Sequence, residues 1–282
     1  MKILSIGDFH GRFPAKLQKL AKGVDLIISV GDYMPWRLKK IFFEKCFATD
    51  LELWEIVGKK KYKESHSGDL KDSEKILEKL NLFKVPVVTT VGNYDTPEFN
   101  DTFDRKGLWR GGWKWAAQDF FSPLLKKYSH IKRIDYRAIR IGELVIIGGY
   151  GHSFPGRVKS KAYRKSRVKL DKLFKKYSKE NREGKVIFAF HNMPYNCKLD
   201  KIRDPEADPL VFGKHYGNKL TRRIIDKYPP AICVGGHLHE NQGRCKIGKS
   251  LVINTGGAFE GKCCVIDFDE TKGKVKSVKF VK

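Results

Sequence analysis

Residues 87–98 read VVTTVGNYDTPE, an apolar, β-branched run that stops abruptly at Gly92, Asn93, Tyr94 and Asp95. Val87, Val88 and Val91 have the near-continuous apolar character of a strand covered on both faces, the habit of parallel sheets flanked by helices. The same pattern recurs in KILSIGDFHG (2–11), DLIISVGDYM (25–34), ELVIIGGYGHS (143–153), KVIFAFHNMP (185–194), AICVGGHLHE (231–240) and LVINTGGAFE (251–260). Amphipathic stretches lie between these runs. Pro14 opens one with Leu17, Leu20 and Ala21, Asp72 and Ser73 are placed to cap one with Ile76, Leu77 and Leu80, and residues 161–178 carry Tyr163, Leu170, Leu173, Phe174 and Tyr177. A fourth holds Leu220, Ile224 and Ile225. Strands alternating with helices predict an α/β fold with a largely parallel, covered sheet, closed by an antiparallel hairpin in CCVIDFDETKGKVKSVKFV.

Two segments interrupt this rhythm: about 34–68, and about 99–130 with its aromatic GLWRGGWKWAAQDFF. Both fall next to strand ends, so they are expected to be insertions at the ligand-binding edge of a single domain spanning 1–282.

At 282 residues, with 41% apolar and 12% aromatic residues, the chain can bury a sizeable core, which excludes wholesale disorder. No apolar run approaches the ~20 residues of a membrane-spanning helix, and MKILSIGDFHG turns polar too early for a signal peptide, so a cytoplasmic protein without stable membrane insertion is expected. The six cysteines have neither zinc-knuckle nor disulfide-scaffold spacing and read as buried thiols. The formal charge of +25 favours anionic partners such as phosphates or nucleic acids, although lysines on solvated helix faces account for much of it.

In an open α/β sheet, ligands bind outside the carboxyl ends of the strands. Those ends present Asp8 and His10, Asp32, Asn93 and Asp95, His152, His191, and His237 with His239. Any one of them alone reads as a turn or cap residue; together they are too many coincidences at one edge. In extended backbone, residues i and i+2 point the same way, so Asp8 with His10, and His237 with His239, are each expected to reach one ion together. Adding Asp32, Asn93 and His191 gives a mixed oxygen and imidazole set suited to Mn, Fe, Zn, Co or Ni rather than Ca or Mg. About seven ligands are too many for one tetrahedral ion and, with one carboxylate shared, suit two. Two ions ~3.5–4 Å apart activate a water and clamp the oxygens of an in-line displacement at phosphorus.

The ordered set GDFHG, GDY, GNYD, FHNMP and GGHLHE, spread over residues 7–239, resembles the calcineurin-like metallophosphoesterases, whose pattern is DxH, GD, GNHD, a lone His and GHxH. The resemblance implies a four-layer αββα sandwich, with the strands divided between two packed sheets. It implies a dinuclear centre, Mn being the expected metal, with Asp8, His10, Asp32 and His239 on one ion and Asp32, Asn93, His191 and His237 on the other. It further implies phosphoester hydrolysis by a metal-bridging hydroxide.

The departure from the family pattern is Tyr94, which stands where most members have a His near the leaving group, oriented by the Asp that follows, here Asp95. A phenol (pKa ~10) is a poorer proton donor at neutral pH than an imidazole (~6.5), though it can hydrogen-bond a phosphoryl oxygen. Leaving-group protonation is therefore expected to be weak or to come from His152, and phosphodiesters are slightly favoured. Residues 157–176 hold ten Lys or Arg against Asp171 alone, so a nuclease using the same metals on DNA or RNA is the competing expectation. A non-catalytic scaffold of the same fold is a third, disfavoured by the intact ligand set.

Overall fold

The computed structural model describes residues 1–282 except 47, 48, 50, 96–112, 117, 152–157, 159, 206, 208 and 210. The near-continuous apolar runs become the central strands of two six-stranded sheets. The first contains β1 (Lys2–Ile6), β2 (Leu26–Ser29), β3 (Val87–Thr89), β4 (Ile131–Arg133), β11 (Cys263–Asp269) and β12 (Lys274–Val281), in the order β12-β11-β1-β2-β3-β4. Strands β1 to β4 run parallel, and the closing hairpin β11–β12 pairs antiparallel on the β1 edge, with Ile3 opposite Ile266. The second sheet contains β5 (Ala138–Ile141), β6 (Leu144–Gly148), β7 (Val186–Asn192), β8 (Ile232–Gly236), β9 (Gly243–Ile247) and β10 (Ser250–Asn254), in the order β5-β6-β7-β8-β10-β9. Its inner strands β6, β7, β8 and β10 are parallel and its edges antiparallel.

The faces of the two sheets meet in a dry core that includes Ile28, Val30 and Val88 from one and Ile187, Val234 and Ile253 from the other, all fully buried. Each such side chain removed from water contributes about 1.5–3 kcal/mol, so this seam is a main source of cohesion. The outer face of the first sheet is covered by α1 (Ala15–Ala21), α4 (Lys59–Leu82) and α5 (Phe121–Leu125) through Leu17, Ile76, Leu77, Leu80 and Phe121. The outer face of the second is covered by α6 (Lys161–Lys176) and α8 (Lys219–Lys227) through Leu170, Phe174, Ile224 and Ile225. The result is the four-layer αββα sandwich. The single covered sheet suggested by strand periodicity alone is corrected to two, because a strand apolar on both faces fits either a helix layer or a second sheet.

Two further differences are local. The helix expected to start at Asp72 and Ser73 begins at Lys59, immediately after Gly58 (φ 81°). Asp69 and Asp72 do not cap it; both carboxylates hold Arg37, and Ser73 Oγ donates back to Asp69 O at 2.8 Å within the helix. The first turns of α4 lack an apolar stripe and rest instead on aromatic contacts of Tyr62 and His66 with Trp113, Trp115 and Phe120. Residues 34–68 thus contain two short helices, α2 (Lys39–Ile41) and α3 (Leu53–Val57), a π-helical turn at Phe42–Cys46, and the start of α4. A short α7 (Ser178–Arg182) follows α6. All six cysteines are free thiols, five of them buried. No helix among the described residues is long and apolar enough to cross a membrane.

Candidate metal centre

The carboxyl ends of β1, β2 and β3 meet those of β7 and β8, and the chain leaves these strands through tight turns. Asp8, His10, Asp32 and His237 all take positive φ (53°, 43°, 55° and 72°). That left-handed backbone is uncommon for residues with a Cβ, and Asp and His are among the more tolerant of it. Here it turns the side chains back over the strand ends.

Two clusters result, each with potential ligand atoms within 4.8 Å of one another: Asp8, His10 and His239, and Asp32, His191 and His237. Asp8 and His10 converge as the spacing predicted, but His237 and His239 part company, one into each cluster. The i, i+2 argument fails there because the backbone is not extended: His237 is left-handed and His239 opens a 3-10 turn (His239–Asn241). The same left-handed geometry holds at Asp8 and His10, so their meeting is not a strand property either.

In the first cluster the Nε2 atoms of His10 and His239 face each other at 3.2 Å, and His239 Nε2 lies 3.2 Å from Asp8 Oδ1. In the second, His191 Nε2 lies 2.8 Å from Asn93 Oδ1 and 3.4 Å from Asp32 Oδ2. His191 Nδ1 donates to Val30 O at 2.8 Å, which leaves Nε2 as the coordinating nitrogen once the ring is neutral. Asp32 Oδ1 accepts from Tyr94 N at 2.9 Å, joining the β2 and β3 ends.

Glycines make room for the carboxylates. A Cβ on Gly92 would lie 1.9 Å from Asp32 Oδ1, and one on Gly236 would lie 2.1 Å from Asp8 Oδ2. The GN and GGH steps of the sequence are therefore spaces for carboxylates as well as turns.

Electrostatics divide the imidazoles into two kinds. Burial opposes charge on His191, but Asp32 outweighs it and holds that ring protonated up to about 10. Burial likewise opposes charge on His239, and Asp8 prevails to raise it. Burial pushes His237 down to about 3, with the His191 charge adding to the effect, and burial also lowers His10. Asp8 and Asp32 are both held below the usual carboxylate range: burial works against this, and His239 and His191 respectively overcome it. Two carboxylates, four imidazoles and an amide oxygen, buried or half-buried at one edge, form a donor set that fits divalent cations.

Asp95 does something the sequence did not reveal. Its side chain is 2% exposed, and its two oxygens accept four main-chain N–H groups: Asp32 (2.8 Å) and Gly92 (2.8 Å) on Oδ2, Tyr33 (2.7 Å) and Met34 (3.2 Å) on Oδ1. It fastens the loop after β3 to the loop after β2. Burial and the Asp32 charge push its carboxyl up to about 7, while the donated N–H groups pull it down. A proton on either oxygen would displace one of those bonds, so the ionised form is the one this geometry fits.

Tyr94 lies against the first cluster, its ring centroid 5.2 Å from that of His10 and 4.5 Å from that of Trp36. Phe259 flanks His10 and His239, at 5.1 Å from each. Trp36 and Phe259 were not singled out from sequence, although each closely follows a strand-end motif, GDYMPW and NTGGAFE. Trp36 belongs to the first insertion, which thereby reaches the site. His152 lies outside the described residues, as do residues 99–112 of the second insertion; its described aromatics Trp113 and Trp115 pack toward α4.

Residues 1–241 match the family model described as calcineurin-like phosphoesterase. The uncharacterized protein MJ1162 of Methanocaldococcus jannaschii is 24% identical over 257 residues, covering 90% of this chain and 87% of its own. One crystal structure superposes with a TM-score of 0.66 at 20% identity, covering 100% of this chain and 98% of that one. TT1561 of Thermus thermophilus superposes at 0.55 and 15% identity, covering 100% of this chain and 99% of its own. At these identities the structural likeness speaks for the fold alone.

Proposed function

The chain belongs to the calcineurin-like phosphoesterase family, which implies metal-dependent phosphoester hydrolysis, and on that premise we propose a dinuclear centre built from seven residues of a single domain spanning 1–282. The observation that carries the proposal is the pair of ligand clusters, each of which combines residues from the strand ends of both sheets. Asp8, His10 and His239 would hold one ion and Asn93, His191 and His237 the other, with Asp32 shared. Asp32 belongs to the second cluster by distance, and its charge interaction with His10 supports the shared role. When bound, two divalent ions, Mn foremost, supply an activated water and offset charge on the phosphoryl oxygens.

The chain's own residues supply the rest. Asp95 fixes the relative position of the Asp32 and Asn93 loops. The Val30 carbonyl sets the tautomer of His191. Tyr94, whose ring lies beside His10, would donate a hydrogen bond to a phosphoryl oxygen or to the leaving group, and as a phenol it is a weak acid for the latter task. That limitation favours substrates with good leaving groups, and the aromatic surface of Tyr94, Trp36 and Phe259 favours a substrate with a second, flat substituent on phosphorus. Both features support a slight preference for phosphodiesters. The cytoplasm is the compartment that suits six free thiols.

The test is metal analysis of the purified protein, then hydrolysis by the Mn-reconstituted protein of a generic phosphomonoester, a generic phosphodiester and single-stranded DNA side by side. Two metals per chain and faster diester turnover are expected. Dominant, salt-sensitive cleavage of DNA would establish the nuclease reading instead, and metal binding without turnover the scaffold reading. Asp32→Ala should reduce activity by more than the ~10–100-fold typical of losing an outer-shell partner; full activity in that variant refutes the site.

A further inference from the structure

A cavity of about 560 Å³ opens on the second sheet, and none of the seven candidate metal ligands lines it. Lys198, Lys201 and Arg203 come from the loop after β7, Lys246 from β9, and Arg222 with Asp226 from α8. Among the described lining residues, five cationic side chains thus surround a single carboxylate.

The walls are built rather than merely charged. Asp200, fully buried beneath the loop, accepts from the backbone N–H groups of Asn196 (2.8 Å), Cys197 (2.9 Å) and Gly217 (3.1 Å) and from His215 Nδ1 (2.6 Å). Arg222 is anchored through Nε to both oxygens of Asp226 at 3.0 Å, and through Nη1 to the carbonyls of Tyr195 (3.2 Å) and Asn196 (2.8 Å). Asp226, the one acid among the described lining residues, is thereby already engaged. Lys198, Lys201, Arg203 and Lys246 form no ion pair among the described residues and are exposed.

We propose that this cavity is a second anion site that takes a compact oligophosphate. Its volume is that of a small-molecule site, ~300–1,000 Å³, but such sites are usually lined mainly by apolar groups. A ligand complementary to this one carries dense negative charge and little apolar surface. One phosphate would offset about two of the four cations that form no ion pair among the described residues, so two or more linked phosphoryl groups are the better match. The site also touches the metal centre indirectly. Arg203 N donates to Glu240 Oε1 at 3.2 Å, and Asn241 Nδ2 donates to Lys201 O at 2.7 Å, so the cationic loop is tied to the turn that carries His239.

The experiment is calorimetric titration of tripolyphosphate into the full chain, as purified and again after metal stripping. A saturable site present in both forms is expected. Lys201→Glu with Arg203→Glu should weaken it by about tenfold or more, because two charge-assisted contacts become repulsive. Lys165→Glu with Lys172→Glu, the same charge change on exposed positions of α6, should alter it by no more than about twofold, as screened charges outside the cavity do. Thermal melts verify that both pairs remain folded; should the first pair fail to fold, Lys198→Ala with Lys246→Ala takes its place and is expected to weaken binding. Equal losses in the cavity and α6 variants, or absence of saturable binding, would overturn the proposal. So would a single-stranded oligonucleotide that binds more tightly than tripolyphosphate with the same sensitivity to the cavity variants.

Discussion

Replacing Asp95 by Asn removes one charge and one acceptor oxygen while changing almost nothing in size, and the structure makes its consequence calculable. The carboxylate takes four backbone N–H groups, two on each oxygen, in a side chain 2% exposed. Whichever way the amide is turned, its NH₂ faces two N–H donors that can no longer be satisfied. A hydrogen bond to a charged group contributes about 1.5–3 kcal/mol, so losing two amounts to about 3–6 kcal/mol before relaxation. Partial relaxation of the two loops leaves about 3 kcal/mol as a working figure. At ~2–4 °C per kcal/mol for a chain near this length, Asp95→Asn should melt roughly 6–12 °C below the parent. Asp95→Ala, which leaves all four donors unpaired, should melt lower still. Thermal unfolding by circular dichroism at pH 8, metal-loaded and metal-stripped, measures both. The bound metal content should fall with the melting temperature, since the loops being separated carry Asp32 and Asn93. A melting temperature within about 2 °C of the parent, with metal content unchanged, would refute the claim that Asp95 fastens the site.

Gly236→Ala tests the space made for a carboxylate: with its Cβ 2.1 Å from Asp8 Oδ2, the carboxylate must move, and metal retention by the first cluster should fall while the chain stays folded. Metal binding should strengthen with rising pH, because His191, held protonated up to about 10, and His239, also raised, must each lose a proton to coordinate. Calorimetry in buffers of different ionisation enthalpy should therefore show protons released on loading between pH 6 and 9, and an affinity that is flat over that range would contradict the assignment of His191 as a ligand. Tyr94→His should raise turnover of substrates with poor leaving groups more than that of activated ones, while Tyr94→Phe should lower turnover where the phenol hydrogen bond matters. Silence in both variants would remove Tyr94 from the mechanism.

What the linear chain encodes is periodicity and punctuation. Valine-rich runs such as VVTTV mark strands buried on both faces, and the Gly followed by Asp, Asn or His at their ends marks where the chain must turn with polar groups exposed to a cleft. That was enough to identify Asp8, His10, Asp32, Asn93, His191, His237 and His239 as candidates and, through the family resemblance, the four-layer sandwich. Pairing is non-local: nothing within β1 says that its neighbours are β11 and β2, because a strand apolar on both sides carries no mark of its sheet. The division of His237 and His239 between two clusters hangs on a φ of 72° and a 3-10 turn, local geometry that packing imposes and alternation rules cannot foresee. The start of α4 at Lys59 was hidden for a related reason: its polar first turns are stabilised by aromatic side chains from residues 113–120, distant in sequence. Asp95 shows the limit most clearly. Its identity was legible in GNYD, but its task was not, since the N–H groups of Asp32, Tyr33 and Met34 that it satisfies lie about sixty residues earlier in the chain and come within reach only when β2 and β3 pair.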